Sequence, residues 1–261
     1  MRAGLRRMAA REAGLVLTAV QFMTRLPVPA PSWAPAWQPD MLARAARHFP
    51  LVGALVGAIC AAVWLLAGAV LPPAAAAGIV LAVGMLVTGA LHEDGLADLF
   101  DGLGGGFTRD RALEIMRDSR IGTYGGAALI MSLGLRWAAL AALAPLNGAC
   151  ALIAVHALSR APATVMLAAY DYAREGPTAR DVAGGVTVPE AIWAALSALV
   201  IAALALGPTA LAAALAGVIG AAAMAAWMLR RLGGYTGDGL GAMEQAAEAA
   251  MLLTLAAMLG V

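Results

Sequence analysis

Apolar and polar residues segregate along this chain on the scale of whole helices. Unbroken apolar runs long enough for a ~20-residue bilayer crossing begin near Leu51 and near Ala74. Others cover Gly125 to Leu143, Gly148 to Ala169, Ala191 to Leu206, Thr209 to Leu229 and Gly241 to Val261. Helix-ending residues separate them: Pro72-Pro73, Pro145 with Asn147, and Gly207-Pro208. The pattern predicts an all-α, polytopic integral membrane bundle of about seven transmembrane helices. A shorter apolar stretch, Ala13 to Met23, follows an Arg-rich start. With Trp33 and Trp37 close behind, it reads as an amphipathic or partly inserted helix at the headgroups. Small residues around Ala34-Pro35-Ala36 also imitate a signal peptide, although Glu12 and Arg25 crowd its short apolar core. No repeat is visible, so residues 1–261 read as one membrane domain. Within it, 1–50 form an N-terminal cytoplasmic or interfacial segment, and 92–122 an acidic cytoplasmic one.

Composition removes several alternatives. The chain is 62% hydrophobic and 13% charged, with a mean hydropathy of +0.82; soluble domains carry ~25% charged residues. A net charge of +1 provides no cationic field for nucleic acid. All 17 basic residues are Arg, and without Lys neither a Walker-type phosphate loop nor a Lys Schiff base can exist. Cys60 and Cys150 lie far apart in apolar runs and make neither a disulfide framework nor a zinc cluster. With seven spans, every Arg-bearing connection falls on one side, and the short turns at 72–73, 145–147 and 207–208 have none. The positive-inside rule makes that side cytoplasmic and turns the C-terminus outward.

Seven of the 16 acids crowd one stretch: Glu93, Asp94, Asp98, Asp101, Asp110, Glu114 and Asp118. On a continuing helix Asp94, Asp98 and Asp101 follow i, i+4, i+7 and share a face. Stacked carboxylates repel unless a cation lies among them, and hard oxygen ligands favour Mg²⁺ or Mn²⁺ over zinc. Asp110, Glu114 and Asp118 form a second face, with Thr108 as its N-cap and Arg109, Arg111, Arg117 and Arg120 interleaved. A solvated, salt-bridged helix explains this second set equally well. The glycines from Gly102 to Gly106, with Gly104 and Gly105 at their centre, would let backbone approach a phosphate. Carboxylates, glycines and Arg together suit metal-assisted phosphoryl transfer. His156 and Arg160 are i, i+4 in an apolar span, and an intramembrane Arg is functional by default. Asp238 lies in a Gly-rich turn, followed by Glu244 and Glu248 at helical spacing; metal binding and helix capping both fit it. Arg174 and Arg180 could clamp an anionic substrate or simply mark orientation.

Several segments together resemble one family: Phe22 to Pro29 (FMTRLPVP), Phe49 to Gly53 (FPLVG), Leu91 to Gly106 (LHEDGLADLFDGLGGG), Arg111 to Tyr124 (RALEIMRDSRIGTY), His156 to Pro162 (HALSRAP) and Thr236-Gly-Asp238. In order and across almost the whole chain, they are similar to the adenosylcobinamide-GDP ribazoletransferases, the cobalamin synthases of corrinoid pathways. The resemblance implies joining of adenosylcobinamide-GDP to α-ribazole or its 5′-phosphate, release of GMP, and a requirement for Mg²⁺. A ribose hydroxyl would attack the phosphorus attached to cobinamide. On that implication Glu93, Asp94, Asp98 and Asp101 are metal ligands, with Asp238 a further one. His92, Asp94 or Asp98 serves as general base, the sequence not choosing among them. Gly104, Gly105, Arg117, Arg120, His156, Arg160 and Arg174 are the expected substrate contacts. The partners are the two substrates and the lipid of a bacterial inner membrane, with room for other corrinoid-pathway enzymes or a second copy. Asp98-x-x-Asp101-Gly102 is also similar to the CDP-alcohol phosphotransferase pattern, but the Ala-Arg pair is missing, the spacer is short and Glu114 replaces the last Asp. A phospholipid synthase is therefore the alternative enzyme, and a transporter the alternative outside catalysis.

Overall fold

The computed structural model describes residues 2–28, 40–174 and 185–260. Among them the chain is helical throughout, with α1 (Arg2–Met23), α2 (Met41–Ala45), α3 (Phe49–Gly68), α4 (Pro73–Thr88), α5 (Leu91–Gly105) and α6 (Arg109–Ile115). There follow α7 (Thr123–Ala141), α8 (Pro145–Leu158), α9 (Ala161–Ala169), α10 (Val188–Leu206), α11 (Ala210–Leu232) and α12 (Gly237–Leu259). Leu204, Val70, Leu86, Leu66 and Ile130 are each more than 70% exposed. Such side chains on the outside of a bundle suit a hydrocarbon solvent and not water.

Five helical stretches are long and apolar enough to cross a membrane: Met41–Gly68, Thr123–Ala141, Pro145–Ala169, Val188–Leu232 and Gly237–Leu259. The pair α4 and α5, bent by 90°, makes a sixth if counted as one span. Counted as continuous helical stretches these are five or six against the expected seven, and the difference lies in Val188–Leu232. This stretch of 45 residues holds two of the runs read from sequence. A helix that long would measure ~68 Å, against ~30 Å of hydrocarbon. Gly207, at φ 58°, and Pro208 interrupt its backbone. α1 forms over 22 residues, is not among the spanning stretches, and is tied to the turn just before α3 by Glu12 on Arg47 at 2.6 Å. Trp33, Trp37 and Arg180 lie outside the described residues.

Small residues let the helices close up, as packing in lipid requires. A Cβ on Gly53 of α3 would lie 2.0 Å from the His156 carbonyl of α8, and one on Gly220 of α11 would lie 2.5 Å from the Ala246 carbonyl of α12. The first approach brings α3 against the break between α8 and α9. The chain is free to turn at Ser159 and Arg160 because Pro162 cannot continue the preceding helix.

Candidate active site

The acidic helix α5 is aimed by an unusual joint. Gly89 and Ala90 are both left-handed, at φ 67° and 55°, and Ala90 bears the strain a Cβ brings there. A Cβ on Gly89 would meet the Arg25 side chain at 2.5 Å, and Arg25 donates its backbone N–H to the Val87 carbonyl at 2.7 Å. The joint turns α5 by 90° from α4, sending His92 and Glu93 into the bundle while Asp94 stays exposed and Asp98 half-buried.

Asp238 reaches the same place from a distant part of the sequence. Tyr172 and Tyr235 pair as a short parallel bridge, with Ala173 N–H donating to Tyr235 O at 2.7 Å and Tyr235 N–H to Asp171 O at 2.9 Å. This bridge lays Arg174 against Asp238 in an ion pair. α12 begins there, capped by Thr236, whose hydroxyl accepts from Gly239 N–H at 3.0 Å. Thr236 thus fills the capping role that the sequence also allowed for Asp238, leaving the carboxylate for Arg174. A Cβ on Gly95 would come within 2.7 Å of the Asp238 carbonyl, so α5 and α12 touch backbone to backbone.

Asp94, Asp98, Asp238 and Arg174 therefore share one mouth. Asp98, outside the five spanning stretches, has its carboxyl pushed up to about 7. Burial is the main cause, and the neighbouring charges of Asp238 and Asp94 add to it against the pull of Arg174. Three carboxylates with one guanidinium among them form a donor set suited to a hard divalent cation.

The other expected ligands are occupied elsewhere. Asp101 is buried and accepts from Gly122 N–H at 2.6 Å and Gly125 N–H at 2.8 Å, holding the N-terminus of α7. Glu93 accepts from Arg136 at 3.2 Å and from Gln245 at 3.2 Å. The glycines are not a phosphate loop, because α5 runs helically through Gly105. Their smallness serves packing: a Cβ on Gly104 would lie 2.7 Å from the Tyr124 ring and one on Gly102 2.3 Å from Met116, while Gly105 has ordinary space. Arg117 is exposed, and Arg120 pairs with Asp118 at the surface at 2.5 Å, holding that carboxyl down at about 2. Neither is gathered at the mouth.

Beneath the mouth lies a buried polar knot. His156 Nδ1 stands 2.7 Å from Glu248, Arg160 stands 3.0 Å from Glu244 and 3.4 Å from Glu248, and Arg136 stands 2.8 Å from Glu248. His92 Nδ1 faces Glu244 at 3.9 Å. Two guanidiniums and two imidazoles thus stand among the carboxylates of Glu93, Glu244 and Glu248. His156, Glu244 and Glu248 could present three ligand atoms within 4.8 Å of one another, but the Arg160 guanidinium already fills the position a cation would take. Arg136 was the residue least marked in the sequence; its one signal was an Arg inside an apolar run. Arg109, reaching Leu232 O at 2.9 Å and Ala173 O at 2.6 Å, and Arg231, reaching Leu103 O at 3.0 Å, bind helix and loop carbonyls around the mouth.

Two cavities flank α5. One, of about 250 Å³, is lined by Phe49, Leu167, Tyr172 and Tyr235, with His92, Arg160 and Glu244 at its floor and Asp94 and Asp238 at its edge. The other, of about 260 Å³, is lined by Met85, Asp94, Asp98, Ser119, Ile121 and Leu133.

A helical membrane bundle with an acidic, Arg-edged mouth over a charged interior defines a class of membrane-edge protein. The chain belongs to the cobalamin-5-phosphate synthase family, whose model matches residues 15–256. It is 45% identical over 254 residues to a protein of Leptothrix cholodnii named adenosylcobinamide-GDP ribazoletransferase, covering 93% of this chain and 94% of that protein. Proteins of the same name from Ralstonia pickettii (44% over 251 residues, 92% and 94% covered) and Bradyrhizobium diazoefficiens (46% over 246 residues, 92% of each) are similar to the same extent. No solved structure matches the chain.

Proposed function

We propose that this chain transfers α-ribazole, or its 5′-phosphate, onto adenosylcobinamide-GDP, releasing GMP and completing the cobalamin skeleton. The observation that carries the reading is the meeting of Asp94, Asp98 and Asp238 beside Arg174, at a mouth where two cavities adjoin. A membrane-edge opening suits a bulky corrinoid donor that stays outside while its pyrophosphate enters.

Asp94, Asp98 and Asp238 would hold Mg²⁺, the narrower set left once Asp101 and Glu93 are committed to α7 and Arg136. Bound there, the cation would neutralise pyrophosphate oxygens and make the phosphorus more electrophilic. Arg174 binds the phosphate charge. Asp94, exposed and lining both cavities, accepts the proton of the attacking ribose hydroxyl. The new bond joins ribose oxygen to the phosphorus carried by cobinamide; the bond to the bridging oxygen breaks, and GMP leaves with that electron pair. His92, buried against Glu244, forms part of the floor and not the reacting edge. The mouth would face the cytoplasm of a bacterial inner membrane, a placement supported by Arg109, Arg174 and Arg231 converging on one end.

The test is GMP release by purified protein in nanodiscs. Release should need both corrinoid-GDP and α-ribazole, require Mg²⁺, and vanish in Asp94→Asn. Release without acceptor, or the same turnover in Asp94→Asn, would contradict the reading. Flux of a substrate across sealed vesicles without bond cleavage would favour a transporter instead.

A further inference from the structure

The two cavities differ in chemistry and meet at a single residue. Around the first, exposed surface is mostly carbon, supplied by Phe49, Leu91, Leu167 and Leu240, with Tyr172 and Tyr235 set edge to face at 5.3 Å between ring centroids. The second is lined partly by Asp98, Ser119 and Glu93. Asp94 borders both.

We infer that the apolar cavity is the acceptor-nucleoside site, holding the planar benzimidazole base of α-ribazole with its ribose at Asp94, while the donor pyrophosphate enters from the opposite flank of α5. The inference rests on the ribazole-transfer reading and says which substrate takes which side. Guanine carries a donor or acceptor on nearly every edge; with His92, Arg160 and Glu244 confined to the floor and Asp94 and Asp238 to the edge, the carbon walls between them would leave most of those groups unpaired and desolvated. A benzimidazole is a flat hydrocarbon surface with one unsubstituted ring nitrogen, and aromatic walls receive such a ring edge-on or stacked. The corrin macrocycle is far larger than a cavity of about 250 Å³. With the base seated there, the ribose hydroxyls fall at the edge formed by Asp94 and Asp238. A nucleophile on one flank of Asp94 and a phosphorus on the other is the arrangement that in-line displacement needs.

The test fills the cavity from its wall. Ala163 of α9 lines it and is half-buried. Ala163→Phe should raise the KM for α-ribazole by about tenfold or more, leaving the donor KM unchanged, and Ala163→Val should give a smaller rise of the same kind. Equilibrium dialysis of α-ribazole against donor-free protein should show binding to wild type and loss of it in Ala163→Phe. A rise in donor KM instead, or an acceptor KM that moves in neither variant, would overturn the assignment. If wild type released no GMP with both substrates, the transferase reading would fail, and dialysis would still report whether the cavity takes the nucleoside.

Discussion

Replacing Arg136 by Met tests the buried knot that supports the site. Arg136 is 3% exposed and bridges Glu248 at 2.8 Å to Glu93 at 3.2 Å. The two carboxylates would not suffer equally. Glu248 keeps His156 at 2.7 Å and Arg160 at 3.4 Å. Glu93 keeps only the Gln245 amide at 3.2 Å, and its second oxygen already lacks a partner among the described residues. Stranding a buried charge in this way costs about 3–5 kcal/mol, and in a protein of this size each kcal/mol lowers Tm by roughly 2–4 °C. Arg136→Met should therefore melt about 6–20 °C below wild type in the same detergent. Adding Glu93→Gln, which removes the stranded charge and keeps the shape, should restore most of that loss. Arg120→Met, at an exposed surface pair, should not change the melt. A single variant that melts like wild type, or a double variant worse than the single, would refute the reasoning.

Two further predictions separate competing readings of the acidic segment. Gly105→Ala should leave folding and turnover unchanged, since a Cβ there meets only Ile115 at 3.6 Å, whereas Gly104→Ala should lower the melting temperature through the Tyr124 ring at 2.7 Å; a loss of turnover in Gly105→Ala would restore the phosphate-loop reading. With the Asp98 carboxyl raised to about 7, it holds a proton below that pH which a cation must displace. Apparent Mg²⁺ affinity should then be full above pH 7 and fall about tenfold per pH unit below it. Asp98→Asn should flatten that slope, and an unchanged slope in the variant would assign the proton elsewhere.

The sequence showed the helices because apolar runs and Pro or Gly breaks are local signals. It showed the acids of α5 and their shared face for the same reason. What it could not show was where each carboxylate's partners lie. Asp101 falls on the face of Asp94 and Asp98, yet the amides of Gly122 and Gly125 come to it from α7 and take both its oxygens. Glu93 is adjacent to Asp94 in sequence and points to Arg136, 43 residues away. The meeting of Arg174 with Asp238 depends on the Tyr172–Tyr235 bridge, a two-residue pairing with no periodic signature. The glycines were ambiguous in principle, since close helix packing and a phosphate cradle ask for the same missing Cβ. The span count has a related cause: Gly207-Pro208 reads as a turn in sequence, and helical residues adjoin it on both sides, so the stretch counts as one or two according to how the break is read.

Mn²⁺ binding followed by electron paramagnetic resonance, on the purified full chain without substrates, tests the central claim most directly. Wild type should bind the ion, Asp98→Asn and Asp238→Asn should each weaken binding strongly, and Asp101→Asn should bind as wild type does once it is folded. Equal loss in Asp101→Asn, or no difference between wild type and the Asp98 and Asp238 variants, would contradict the account.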